Sequence, residues 1–376
     1  MSSSKRIFGL DLMRAVAIMM VLCAHILSIY PHSSGSITQL FSFFGFWGVE
    51  LFFVLSGFLV GSILYNTYLK EDFTIGSVFY FLKRRWYRTL PNYFLILIMN
   101  GIIAFCIGIS VDDIGFYFFF LQNFSTTMRP FFTESWSLSV EEFAYLLMPF
   151  VLFLSSLLGK PKNKSKRFIL VLLCLLVFFI FNKVGYNFTT MNTSLNQWNL
   201  SLKAVVVYRI DAILTGMAFA WISFKYNEFW LQQKVNLLFV GVVLLLFMFV
   251  GVGLFGILIE KYPFFWNVLY LPITSVTFAL FLPVLSQWET AVNWVLKPVT
   301  FISLISYSIY LLHYGIVLQL LKYFFDTDSF SMNQLHFFTI GYLVITFFVS
   351  YWFYKYYEKP ILKWRDRQGD NSQISN

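Results

Sequence analysis

The feature that most constrains this chain is a succession of apolar runs long enough to cross a lipid bilayer. A spanning helix needs about 20 mostly apolar residues. Ten segments fit, at roughly 7–30, 41–65, 89–109, 136–158, 168–182, 204–224, 232–258, 264–287, 299–323 and 335–357. In lipid each backbone N–H and C=O has to be satisfied internally, so runs of this kind become helices. The expected fold is an all-α polytopic membrane protein with about ten transmembrane helices. The fifth run is short and the seventh long, which tilt or local bilayer adjustment absorbs. The run 114–124 is too short to span and is expected to lie at the interface or re-enter. The first run contains Asp11 and Arg14 and precedes no small-residue cleavage pattern, so it reads as a span and not as a signal peptide.

Composition and charge agree. Charged residues are 12% of the chain, against about 25% in soluble domains. The net charge of +9 does not point to nucleic acid, because the basic residues sit in short segments between apolar runs. With a cytoplasmic N-terminus, the inward segments (near 5–6, 70–88, 160–167, 225–234, 297 and 355–367) hold twenty Lys and Arg. The outward segments hold five: Arg129, Lys183, Lys203, Lys261 and Lys322. That asymmetry predicts both termini in the cytoplasm. Residues 1–364 read as a single transmembrane domain and 365–376 as a polar, irregular cytoplasmic tail. Cys23, Cys106 and Cys174 lie in apolar stretches without metal-ligand spacing, so they read as packing residues and no metal is expected.

Ionisable groups within these runs carry the functional signal. Each costs about 2.5–3.5 kcal/mol to insert and persists when paired or when lining a wet cavity. The chain places Asp11, Arg14, His25, Glu50, Glu141, Glu142, Arg209, Asp211 and His313 in or beside apolar segments. Arg14 and His25 are eleven residues apart, which returns a helix to nearly the same face about 16 Å further along. Asp11, three residues before Arg14, is within reach of an ion pair. His25, Glu50, Glu141, Arg209, Asp211 and His313 fall at a similar depth in the outer half, which predicts a chamber at that level. On the opposite side lies Lys83-Arg84-Arg85-Trp86-Tyr87-Arg88, read either as a topological anchor or as an anion site. A ligand with a polyanionic head and a long thin arm would join the two regions, and coenzyme A is such a ligand.

At these residues the sequence resembles the acyltransferase 3 family of membrane acyltransferases, over nearly the whole chain. The family's opening Arg-x10-His pattern fits Arg14 and His25, and its second-helix signature is similar to Gly48-Val49-Glu50-Leu51-Phe52-Phe53-Val54-Leu55-Ser56-Gly57-Phe58. Its Arg-x-x-Arg and following Pro fit Arg85, Arg88 and Pro91. Trp136-Ser137-Leu138-Ser139-Val140-Glu141-Glu142, Tyr208-Arg209-Ile210-Asp211 through Gly216, the run Ile305 to His313, and Glu358-Lys359-Pro360 match further hallmarks in order. Glu50 stands where Asp is commoner, and Phe143-Ala144-Tyr145 where Gln-Phe-Tyr is usual.

The resemblance implies transfer of an acyl group, acetyl by default, from cytoplasmic acyl-CoA (acetyl-CoA, the expected co-substrate) through a transmembrane channel. The acceptor would be a hydroxyl of a surface glycan or its lipid-linked precursor, and the setting a bacterial plasma (inner) membrane. His25 would act as general base or as acyl carrier. Glu141 or Glu50 would orient it, and Arg14 would stabilise developing charge or hold the pantetheine arm. Arg84, Arg85 and Arg88 would grip the nucleotide phosphates. Asp11, Arg209, Asp211, Tyr310 and His313 would serve the acceptor or support the site. Membrane lipid, the glycan acceptor and polysaccharide-biosynthesis proteins are the expected partners. Some relatives add a soluble esterase-like domain; this chain stops before one, so that activity is expected from a separate partner. The competing class is a transporter or flippase of a lipid-linked saccharide or organic acid, which intramembrane charges would also fit. Against it stand the absence of visible repeats or broken helix pairs and the presence of the cytoplasmic anion site.

Overall fold

The computed structural model describes residues 6–30, 35–70, 73–108, 111–159, 162–192 and 194–374. Lys5 and Lys160, counted above among the inward basic residues, lie outside them, as do the extreme ends of the two expected regions. The described chain is helical. Among the described residues, nine helical segments are long and apolar enough to cross a membrane: α1 (Phe8–Ile29), α2 (Leu40–Leu69), α3 (Ile75–Cys106), α4 (Thr133–Leu157), α5 (Lys164–Thr189), α7 (Lys234–Leu254), α8 (Phe265–Leu285), α9 (Asn293–Phe324) and α10 (Met332–Arg367). The sixth expected span, 204–224, is the 16-residue helix α6 (Ile210–Lys225), entered through a 3-10 turn at Val206–Tyr208. The protein is thus an integral membrane protein.

Large apolar side chains cover the outer faces: Phe105 is 84% exposed and Phe337 75%. In water these would be liabilities; in lipid they are the solvated surface. Cys106 and Cys174 lie on that surface and Cys23 is half-buried, so only the last approaches the expected packing role.

Three segments depart from their expected bounds. The basic cluster lies not in a loop but within α3, which starts at Ile75, where Thr74 and Ser77 form a reciprocal capping box. α5 runs on to Thr189, past the expected stop at 182, because Lys183 has a counter-charge inside the bundle. α10 spans 36 residues, about 54 Å of helix against a hydrocarbon core of about 30 Å, so its end projects beyond the bilayer. The backbone stays helical as far as Ile374, where the sequence pointed to an irregular tail. The run 114–124 contributes a single helical turn, Gly115–Phe118, and folds back against α3, with Phe120 stacked on Tyr93 at 4.4 Å.

α2 is the central element, packed against α1 and α6. Without a hydrophobic drive between helices in lipid, close backbone approach has to supply the packing energy. Gly57 and Gly61, four residues apart on α2, supply it on one side and Gly216 of α6 on the other. A Cβ on Gly57 would meet the carbonyl of Ile213, and one on Gly216 the carbonyl of Val54. Both obstacles are backbone, so neither can give by a rotamer change.

Gly57→Val is expected to force α2 and α6 apart, at a cost of about 1–3 kcal/mol. Thermal melting of the detergent-purified variant should show a clear drop; an unchanged melting temperature would mean that this contact does not hold the bundle.

Candidate active site

Five helices, α1, α2, α3, α4 and α9, surround a cavity of about 470 Å³. Its apolar wall comes from α2 (Val49, Phe52, Leu55, Leu59), and its polar wall from Arg14, Arg85, Arg88, Glu141, Tyr145, Tyr307 and Tyr310. Among the described residues lining it, three guanidiniums face one carboxylate. The space therefore suits an anion with an apolar arm.

The three cavity arginines are placed differently. Asp11 is bound in a fork by Arg6, at 2.8 and 2.6 Å, and receives the Ser303 hydroxyl at 2.8 Å. The expected Asp11–Arg14 pair is present but long, at 3.7 Å, because Arg6 occupies the carboxylate. Arg14 is thereby left facing the cavity. Arg85 and Arg88 reach it from α3, one turn apart. Arg84 does not: its guanidinium turns to the Tyr80 hydroxyl at 3.2 Å and to Asp366 at 4.0 Å. Trp86 is likewise absent from the lining and is exposed. Pro91 interrupts α3 just beyond, and the hydroxyls of Tyr307 and Tyr357 donate to the carbonyls of Thr89 and Pro91 around it. Glu142 accepts from the Thr89 hydroxyl at 2.6 Å.

Glu141 sits at this level and not beside His25. It accepts a hydrogen bond from Tyr145 at 3.2 Å, and Tyr145 in turn is joined to Ser56. Glu50 has other partners as well: it is buried, ion-paired with Arg209 and bonded to the Ser275 hydroxyl. Neither carboxylate orients His25, which corrects the expectation for both. The shared depth of Glu50, Arg209 and Asp211 has a simpler cause than a chamber. Glu50 pairs with Arg209, and Asp211 pairs with Lys183.

His25 finds its neighbours on α9. That helix opens into a π-helical turn at His313–Leu318, a local widening that recurs at functional sites. The turn sets the His313 ring 4.8 Å from His25, edge to face, and the Tyr314 ring 4.4 Å away. His313 is buried, with Nδ1 at 2.9 Å from the Tyr310 carbonyl and 3.1 Å from that of Ile309. Both partners are acceptors, so Nδ1 carries a proton and the neutral ring presents a bare Nε2 lone pair. Nε2 has no partner among the described residues.

Tyr310 stands between the cavity and this ring pair. It lines the cavity, its ring centre is 6.0 Å from that of His313, and its hydroxyl is held by Ser137 and donates to the Glu134 carbonyl at 3.0 Å. His25 and His313 are not among the lining residues, so the cavity ends short of the ring pair, with Tyr310 on its wall toward them.

Two residues escaped the sequence reading. Glu134 is buried, accepts the Gly315 N–H at 2.9 Å through Oε1, and leaves Oε2 without a partner among the described residues. Lys203 follows α5 on a π-helical turn, Asn199–Lys203. Its ammonium lies over the rings of Trp136 and Phe46, at 5.5 and 5.8 Å, and acts electrostatically on His25. Burial, with help from Arg209, pushes it down to about 8. A charge count of the loops sees Lys203 only as an outward basic residue; its setting depends on the turn.

The acyltransferase-domain family matches residues 7–355, and the chain belongs to it. It is 26% identical over 349 residues to O-acetyltransferase OatA of Staphylococcus aureus (strain NCTC 8325), a match covering 86% of this chain and 53% of that protein. A putative O-acetyltransferase of the same species (strain COL) is 25% identical over 344 residues, covering 85% and 52%. The chain therefore spans about half the length of the curated relatives it matches. No solved structure matches.

The buried pair makes a structural prediction. Glu50→Leu alone should destabilise the protein by about 3–5 kcal/mol, because it strands the Arg209 guanidinium. Glu50→Leu with Arg209→Met should recover much of that loss in thermal melts. Equal melting of single and double variants would mean that the two charges are not coupled.

Proposed function

We propose that this protein is a membrane O-acetyltransferase of a bacterial plasma membrane, moving an acetyl group from cytoplasmic acetyl-CoA to a hydroxyl of a surface saccharide or its lipid-linked precursor. The observation that carries it is one helix, α1, that presents Arg14 to an arginine-lined cavity and carries at His25 an imidazole with no side-chain hydrogen bond among the described residues. Family membership and the O-acetyltransferase relatives support the same reaction class.

In this reading the basic end is cytoplasmic, as are both termini, in keeping with the distribution of Lys and Arg. The donor's phosphates meet Arg85 and Arg88, and its arm lies along the α2 wall past Arg14. The terminal helical stretch adds Lys355, Lys359, Lys363 and Arg367 at that end and is tied to α3 through Trp364 on Tyr87. These cations raise the local concentration of a polyanion. Tyr310 swings aside to admit the thioester to the ring pair. His25 takes the proton of the acceptor hydroxyl as its oxygen attacks the thioester carbonyl. The tetrahedral adduct then expels the coenzyme A thiolate, which takes that proton from the His25 imidazolium and leaves as the thiol. His313, fixed by its two carbonyls, holds the His25 ring in place. Arg84 is left out of the donor site.

The test is transfer of label from labelled acetyl-CoA to glycolipids by the purified protein in liposomes. His25→Ala should abolish transfer with an unchanged melting temperature; full activity would remove His25 from the mechanism. Arg85→Ala and Arg88→Ala should each raise the apparent KM for acetyl-CoA about tenfold or more, consistent with loss of a charge-assisted phosphate contact. Arg84→Ala should leave it near wild type. Equal effects of all three would show a topological anchor and not a phosphate site.

A further inference from the structure

Lys203 lacks a counter-charge where one is expected. It is half-buried, and among the described residues it has neither a hydrogen bond nor an ion pair. Trp136 and Phe46, which wall its ammonium, are both buried. Glu50, the carboxylate that acts on it, is engaged by Arg209 and Ser275, and Arg209 adds a like charge nearby. The two ring faces attract the ammonium and leave its charge without a counter-ion, open to an incoming anion. Two buried cations of this bundle, Lys183 and Arg209, each have a carboxylate of their own. Lys203 has none among the described residues, and the Phe46 ring beneath it follows Gly45, which abuts Ala24 beside His25.

We propose that Lys203 is the anion-binding residue of the acceptor site: the saccharide presented to His25 carries a carboxylate or phosphate that pairs with the Lys203 ammonium, walled by Trp136 and Phe46. This rests on the reading that the His25 end takes the acceptor. A charge that appears only during acyl transfer would leave Lys203 uncompensated in every resting and bound state. An anion fixed on the acceptor compensates it for as long as the acceptor stays bound. Lys203 then selects the acceptor, while His25 performs the chemistry.

The experiment is equilibrium binding to the full chain in nanodiscs, with no acyl donor present. Three matched probes are used: a uronic-acid oligosaccharide, its carboxyl-reduced neutral counterpart, and that neutral sugar bearing a phosphate monoester. Wild type should bind at least one charged probe about tenfold more tightly than the neutral one, and the tighter of the two identifies carboxylate or phosphate. Lys203→Met should lose that preference and keep its neutral-sugar affinity; Lys203→Arg should keep most of the preference. The inference is overturned if wild type shows no preference, or if Lys203→Met weakens charged and neutral probes alike. Because binding is read without a donor, absence of acetyl transfer would count against the proposed reaction and leave this result standing.

Discussion

A charge inside a lipid-solvated bundle must find either a counter-charge or water, and this demand sorts the ionisable residues of the chain. One set is paired: Glu50 with Arg209, Lys183 with Asp211, Arg6 with Asp11. These groups tie α2 to α6, α5 to α6, and the chain before α1 to α1 itself. The other set, Arg14, Arg85, Arg88 and Glu141, shares a cavity in which cations outnumber the carboxylate. The first set holds the frame, and the second is left over for a ligand. Asp11 shows how one residue governs the division. By engaging Arg6 closely it leaves its helix neighbour Arg14 at 3.7 Å, free to face the cavity.

The pairs in turn depend on helix approach. Glu50 meets Arg209 because α2 and α6 lie nearly backbone to backbone at Gly57 and Gly216. A larger residue at either position would lengthen the ion pair as well as open the seam. In a bundle whose outer surface is solvated by lipid, small residues set the distances and ionic groups set the register. The glycines are therefore part of the site's positioning, although they lie on the far side of α2 from the cavity wall.

The number and placement of the helices were legible in the sequence because a bilayer leaves one secondary structure for a long apolar run. α6 shows the limit of that rule. Only 16 residues are helical, and the expected span included a stretch that forms a 3-10 turn instead. The Arg14–His25 stripe was legible from helix periodicity, and Arg85 and Arg88 from charge. The partners of Glu50 and Glu141 were not, because depth along a helix says nothing about direction around it. Glu50 points at α6 and Glu141 at the cavity, whereas the sequence offers one or the other as the partner of His25. The π-helical turns at His313–Leu318 and Asn199–Lys203 were also invisible to a 3.6-residue reading; the first sets His313 and Tyr314 against the imidazole, and the second sets Lys203 over Trp136 and Phe46.

Tyr310 gives the arrangement its chemical logic. A thioester in reach of water is lost to hydrolysis, so in the proposed reaction a donor chamber joined freely to the acceptor end would waste the acyl group. A phenol lies between the cavity and the ring pair, its hydroxyl held by Ser137 and by the carbonyl of Glu134, both neutral partners. Moving it would break two hydrogen bonds, each worth about 0.5–1.5 kcal/mol net, and no ion pair. That cost lies within what binding of the proposed donor at Arg14, Arg85 and Arg88 would supply. The same residue lies one helical turn before His313, whose Nδ1 is bonded to the Tyr310 carbonyl at 2.9 Å. Rotation of the Tyr310 side chain leaves that carbonyl in place, so the barrier can open while the ring that supports His25 stays fixed.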